Sequence, residues 1–392
     1  MEVELLDIRK KPATKWKIPL YKVHVEKDDV RIVSKVIKRG SYWAIGPEIE
    51  EFENKLADYV GTDYCVTLNS GTSAGHAALI ASGVKQNDQV IVPSFTFIST
   101  ANWVKMVNAK LKFCDIEEQT LGMDPNQIKK KISKQTKVIM PVHYAGLPCQ
   151  INEIAKIAKS KKILLIEDAA EAIGATANNK KIGTFGDLAI FSFAGNKVLT
   201  TGEGGAITTN SKKIYEKLKL IRSHGRLDTH NYFSSIEKPN YISLGYNWRM
   251  SSITAAIGIS QLSKIDKLIM LRRKKAKYLS MRLEKFKHIK LHKESKGFTH
   301  AYQLYSIRLS SKNERDRMIK FLAQKGIMSK VFFHPIHKSK FYQNDKTNYS
   351  KNLQTTEFVS NTILSLPMFP DLKLEEMKYM IDSISEFFEI SK

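Results

Sequence analysis

Cysteine is scarce in this sequence. Only Cys65, Cys114 and Cys149 occur in 392 residues, too few and too widely spaced for a disulfide framework or a metal-binding knuckle. No metal centre is expected, and the three thiols read as packing residues. Long apolar runs are missing as well. No run reaches the length of a membrane span, and the opening segment MEVELLDIRKKPATKWKIPLY carries no apolar secretory core, so the chain reads as cytoplasmic with no membrane partner. Acidic residues are outnumbered: 39 Asp and Glu face 63 Lys and Arg, a net charge of +24. Such a surplus raises a nucleic-acid or anionic-membrane partner, or a basic regulatory protein. The positive residues are nevertheless mostly Lys and scattered (Lys129, Lys130, Lys131, Lys161, Lys162, Arg272, Arg273, Lys274, Lys275), with no interleaved aromatic stripe and no zinc-finger or RNA-recognition signature. A solvated lysine surface that attracts anionic substrates accounts for them, and no nucleic-acid partner is expected.

What remains is an ordinary globular composition, 42% hydrophobic with 20 Gly and 11 Pro, in a chain long enough for two domains. Seven short apolar runs alternate with helical patterns: YCVTLN at 64–69, QVIVPS at 89–94, KLKFCD at 110–115, KVIMPVH at 137–143, ILLIED at 163–168, LAIFSF at 188–193 and GGAITT at 204–209. This alternation predicts an α/β fold with a mostly parallel seven-stranded sheet covered on both faces. In such sheets ligands gather at the carboxyl ends of the strands. After a loop around 224–246, the Pro-free stretch from Met250 to Leu283 reads as one extended helix leaving the large domain. The expected division is an N-terminal arm over 1–25, a large domain over 26–264 and a smaller α+β domain over 265–392, with helices near 312–325 and 373–389.

Three groups of residues at predicted strand ends could carry chemistry. Asn69-Ser70-Gly71-Thr72-Ser73-Ala74 follows a strand and opens an apolar helix, where free N–H groups, the helix dipole and two hydroxyls suit a phosphate; an ordinary Ser/Thr helix cap fits the same residues. Asp168 ends the run ILLIE, and a buried carboxylate there needs a cation or several donors, a protonated pyridine nitrogen being one such cation; a helix-capping Asp is the alternative. Lys197 lies just past LAIFSF, where desolvation would make its neutral amine available as nucleophile and base, although any one Lys in so basic a chain can simply be solvated. Their order along the chain, cradle then acid then amine, favours a shared site.

The motifs around these residues resemble the DegT/DnrJ/StrS sugar aminotransferases, a family of pyridoxal phosphate (PLP) enzymes of fold type I, the aspartate-aminotransferase fold. The resemblance runs from about Ile18 to the C-terminus through GSYWAIGPEIEEFE at 40–53, NSGTSA at 69–74, PSFTFISTAN at 93–102, PVHYAGLPC at 141–149, IEDAAEAIGA at 166–175, FSFAGNKVLTTGEGGAITTN at 191–210, LGYNWRMSSITAAIG at 244–258 and FFHPIH at 332–337. It implies that Lys197 is the Schiff-base lysine and proton shuttle, that Asp168 pairs with the pyridine nitrogen and that Phe97 stacks on the ring. It further implies that Gly71, Thr72, Ser73 and Ser192 hold the phosphate, that Asn247 reaches the neighbouring subunit's cofactor, and that Glu171, His334 and His337 line the sugar pocket. A homodimer with shared sites follows. So does a reaction in which glutamate, or glutamine, gives its amino group to a nucleotide-linked keto sugar. FSFAGNK, TTGEGG and EDAAEA look most like the perosamine-synthase side of the family, hence a 4-keto-6-deoxy sugar; a 3-keto sugar or a keto-inositol is the alternative. Sugar dehydration goes with His in place of the lysine, and a PLP-binding protein without turnover would leave the filled catalytic positions unexplained. Two positions depart from the family pattern: Ala194 stands where relatives often carry an aromatic or His, and Gly75 replaces a usual Leu.

Overall fold

Strands buried on both faces must be apolar at consecutive positions, and the seven expected runs all form strands, five of them buried over nearly their whole length. They are β1 (Tyr64–Leu68), β2 (Gln89–Pro93), β3 (Lys110–Cys114), β4 (Thr136–Ile139), β5 (Leu164–Asp168), β6 (Leu188–Ser192) and β7 (Gly205–Thr209). The computed structural model describes residues 16–227, 236, 238–344 and 353–390, so the first part of the expected arm lies outside the described residues. The strands form one sheet in the order β1-β7-β6-β5-β4-β2-β3. Only β7 runs antiparallel to its neighbours. Successive side chains alternate between two cores, as the pleat requires. Ile91, Leu165, Ala189 and Phe191 pack on one face; Val90, Val92, Ile166, Leu188 and Ile190 pack on the other. All three cysteines are buried, as free thiols packed in the first of these cores.

The stretch expected as one helix from Met250 to Leu283 is two, Ser252–Leu262 and Ile265–Leu283. The break has one local and one long-range cause. Ser263 turns its hydroxyl back onto the Ser260 carbonyl at 2.8 Å, and Lys264 leaves helical geometry (φ −117°, ψ 9°) while its ammonium reaches Asp29 at 2.6 Å in a pair that is nearly buried.

A second, antiparallel sheet follows: β8 (Lys290–Leu291), β9 (Tyr305–Arg308) and β10 (Ile363–Leu366), with β9 in the middle. It shares a third core with the Ile265–Leu283, Lys312–Gln324 and Leu374–Ile390 helices. Ile18 belongs to that core, bridging in parallel to Ile327, so the described part of the arm packs against the second sheet. A fourth cluster joins the two halves, with Phe95 and Tyr144 from the first and Leu304, Phe333 and Ile363 from the second. No helix among the described residues is long and apolar enough to cross a membrane.

Candidate active site

The carboxyl ends of β1, β2, β4, β5 and β6 open onto one cleft of about 350 Å³. Its walls include Ser70, Gly71, Thr72, Phe97, Asp168, Glu171, Ser192 and Lys197. The three separated sequence groups therefore meet at one sheet edge.

Ser70 caps the Gly71–Ala81 helix, its hydroxyl accepting the Ser73 N–H at 3.0 Å and its carbonyl the Ala74 N–H at 3.0 Å. The N–H groups of Gly71 and Thr72 remain at the positive end of the helix dipole, an anion site by construction. Gly71 is fixed by space: a Cβ there would lie 2.9 Å from the Ser192 Cβ and 3.0 Å from its hydroxyl. The glycine thus brings the helix start and the end of β6 close enough to share one oxyanion. Thr72 points its hydroxyl to Ser99 at 3.1 Å. Ser73 behaves differently from expectation. Its hydroxyl donates to Asn69 Oδ1 at 2.7 Å and Ser73 is not among the cleft residues, whereas Ser70, not singled out from sequence, is.

Asp168 closes β5 and is 3% exposed. Thr100 donates to its Oδ2 at 2.8 Å and the Ala170 N–H to Oδ1 at 3.2 Å. Thr96 lies 3.0 Å from Thr100 and, since the Thr100 hydrogen goes to Asp168, supplies the hydrogen between them. Burial nonetheless raises the Asp168 pKa above 3.8, against the opposing effects of Thr100, Ala170 and the Lys197 charge. Two donors do not compensate the desolvated carboxylate, and a cation placed against it would.

Lys197 is held in a turn by its own N–H on the Ala194 carbonyl at 2.9 Å, and its Nζ lies 3.5 Å from Glu171 Oε1. Glu171 is anchored in turn by the Ala145 N–H at 2.8 Å. Phe97 is 58% exposed, a flat ring on the cleft wall available for stacking. Asn247 lies outside this chain's cleft, on an exposed segment beside Leu244, which is 80% exposed. His334 is exposed and also off the cleft wall. His337 contacts Ser94 Oγ through Nδ1 at 2.7 Å and Glu357 through Nε2 at 3.2 Å, bracing the loop after β2 against the Gln354–Thr362 helix.

The profile of the DegT/DnrJ/EryC1/StrS aminotransferase family matches residues 24–385. This chain belongs to that family. It is 35% identical over 371 residues to the GDP-perosamine synthase of Escherichia coli O157:H7, covering 95% of this chain and 98% of that one. It is 34% identical to the Vibrio cholerae GDP-perosamine synthase, covering 95% and 99%. Its fold matches a Helicobacter pylori aminotransferase involved in the biosynthesis of pseudoaminic acid with a TM-score of 0.88, at 27% identity over 95% of this chain and 99% of that one. The protein is a PLP-dependent aminotransferase on the aspartate-aminotransferase fold.

The residues present fit that cofactor. An under-compensated buried acid faces the cleft, an amine stands at the next strand end, an exposed ring flanks it, and the Gly71–Ser192 contact with the helix N-terminus makes a phosphate cradle. Gly75 also finds its explanation: a Cβ there would fall 2.0 Å from Cε2 of Trp103, whose indole fills the space of the missing side chain. Sequence reading missed Trp103, Ser70, Ser99, Thr100, Glu203 and the Phe332–Phe333 pair, all on the cleft. Thr100 was findable, since it lies within PSFTFISTAN.

Thr100→Val should leave Asp168 with one donor. With the carboxyl no longer oriented toward the cleft, the PLP dissociation constant should rise about tenfold or more. Titrating cofactor-free protein with PLP checks this, and parent-like affinity would remove Thr100 from the cofactor site.

Proposed function

We propose that this aminotransferase takes an amino group from glutamate, or glutamine, and delivers it to a nucleotide-linked 4-keto-6-deoxy sugar. The observation that carries the reading is the placement of Lys197, Glu171 and Asp168 in one cleft with the Ser70-Gly71-Thr72-Ser192 cradle. The similarity to GDP-perosamine synthases over nearly the whole chain supports the sugar class.

PLP, when bound, supplies an electron sink for charge developing at the substrate carbon. The chain supplies the rest. Ser70, Thr72 and Ser192, with the helix N-terminus, would hold the phosphate; Asp168, oriented by Thr100, would hold a cationic ring nitrogen; Phe97 would offer its ring for stacking. The Lys197 amine would take up and return the proton at the substrate Cα. Glu171, 3.5 Å from Nζ, stabilises the protonated amine after it has collected that proton. Residues 26–264 would then form the cofactor domain, with the boundary at the start of the Ile265–Leu283 helix.

A homodimer with shared sites is part of the reading. Among the described residues, this chain's cleft is lined by Asp168, Glu171 and Glu203 and by the one ammonium of Lys197, a poor match for anionic substrates. A second copy would cover the exposed apolar residues Tyr241, Ile242 and Leu244 and bring its own Asn247 toward this cleft.

Borohydride reduction of the PLP-loaded protein, followed by peptide mapping, should place the label on Lys197. Assays of UDP-, dTDP- and GDP-linked keto sugars with glutamate or glutamine should then give turnover on a 4-keto-6-deoxy sugar. Label on another lysine refutes the site. Turnover confined to a 3-keto sugar or keto-inositol refutes the sugar assignment, and none on any ketone refutes catalysis.

A further inference from the structure

Besides Phe332 and Phe333 on the cleft wall, the second half of the chain reaches the site through a loop that does not line the cleft. Residues 301–304 precede β9 and cross to the first sheet at two places. On one side the Ala301 N–H donates to the Gly146 carbonyl at 2.9 Å and the Leu304 N–H to the Ala145 carbonyl at 3.2 Å. Ala145 is the residue whose own N–H anchors Glu171. On the other side the Gln303 amide donates from Nε2 to the carbonyl of Asn196 at 2.6 Å, immediately before Lys197. One loop therefore grips both members of the Lys197–Glu171 pair.

The loop is itself over-determined. Arg272, 2% exposed, donates through Nη1 to the carbonyls of Tyr302 at 3.1 Å, Gln303 at 3.4 Å and Met368 at 3.1 Å. All three acceptors are backbone carbonyls. Ala145 and Tyr302, facing each other across the joint, both hold left-handed backbone (φ 58° and 51°) without being glycine, a conformation that persists only where the surroundings enforce it. Gln303 is 3% exposed, and its Oε1 has no hydrogen-bond partner. A buried amide with one unsatisfied end is costly, and the other end is the one with a partner. The side-chain NH2 serves the Asn196 carbonyl.

We propose that Gln303 is a positioning residue for Lys197: with the Arg272-braced loop it sets the distance between the lysine amine and Glu171 across the joint between the two sheets. The proposal rests on the reading of Lys197 as the cofactor lysine. Removing the amide frees the turn carrying Lys197 without substituting any residue that lines the cleft.

The test uses PLP-loaded Gln303→Leu, close in size but without the amide. The pH titration of its visible cofactor absorbance should shift its midpoint by about half a unit or more, since the Lys197–Glu171 interaction tunes that equilibrium. kcat should fall about ten- to hundredfold from misplacement, with KM for both substrates within about twofold of the parent. Gln303→Glu adds a chemical check. Its carboxylate cannot donate to the Asn196 carbonyl, but its protonated form can, so the defect should shrink as pH falls. If the leucine variant does not fold, Gln303→Asn, which keeps the amide but falls short by one methylene, should show the same shift. A folded variant lacking the amide contact, with parent-like titration and kcat, overturns the proposal. Borohydride trapping on the parent separates the two failures: label away from Lys197 refutes the underlying reading, whereas label on Lys197 with unaffected variants refutes only the role of Gln303.

Discussion

Lys197→Ala should lose nearly all transfer, with kcat down by at least about 10²- to 10⁴-fold, the range expected when a positioned proton carrier is removed. Cofactor binding should survive without the covalent link, because Asp168, Phe97 and the phosphate cradle are untouched, and borohydride should no longer fix PLP to the chain. Small primary amines such as ethylamine should restore part of the rate, since deleting the side chain leaves room for a diffusible base in the cleft. Glu171 loses its partner at 3.5 Å but keeps the Ala145 N–H, so the fold should tolerate the change. Stopped-flow absorbance with and without added amine is the measurement. A variant within about tenfold of the parent rate would remove Lys197 from the chemical step.

Asp168→Asn should separate stability from function in opposite directions. The carboxyl's folded pKa lies above 3.8, so folding favours its protonated form, and the group costs the cofactor-free protein stability as pH rises through that folded value. An asparagine of the same shape can accept from Thr100 and carries no charge to desolvate. The cofactor-free variant should therefore melt at or above the parent's temperature at neutral pH, and the two should converge in acid. With PLP the order reverses. The amide cannot hold the ring nitrogen protonated, so the cofactor stabilises the variant less and turnover drops by about 10²- to 10⁴-fold. Melting curves of both proteins, with and without PLP across pH, decide it; a destabilised cofactor-free variant at neutral pH would show that the carboxylate is already compensated by the protein.

The sheet was legible because buried parallel strands leave unbroken apolar runs, and all seven predicted segments joined one sheet. The helix break at Ser263–Lys264 was not, since it depends on a buried pairing of Lys264 with Asp29, far away in sequence. Lys197 and Asp168 stand out in the sequence through the family motifs more than through their own surroundings: in so basic a chain, nothing local marks one lysine. The hydroxyls show a finer limit. Ser70 and Ser73 are equivalent as letters, and only the bond from Ser73 to Asn69 separates them. His337 likewise has both ring nitrogens engaged by Ser94 and Glu357, a brace that no spacing rule reveals. Gln303 lies in AYQLYSIRL, whose apolar character spoke for a strand, yet the strand begins only at Tyr305, and the preceding residues are committed to contacts with the first sheet.

The fit of Trp103 into the gap at Gly75 ties the histories of two positions together. With the indole in place, any side chain at 75 collides with it; with a smaller residue at 103, glycine at 75 leaves a hole beside the cofactor cleft. A lineage can therefore reach this pairing, or leave it, only by passing through a defective single change or by altering both codons together. The phosphate helix is locked to its neighbour in descent as well as in space.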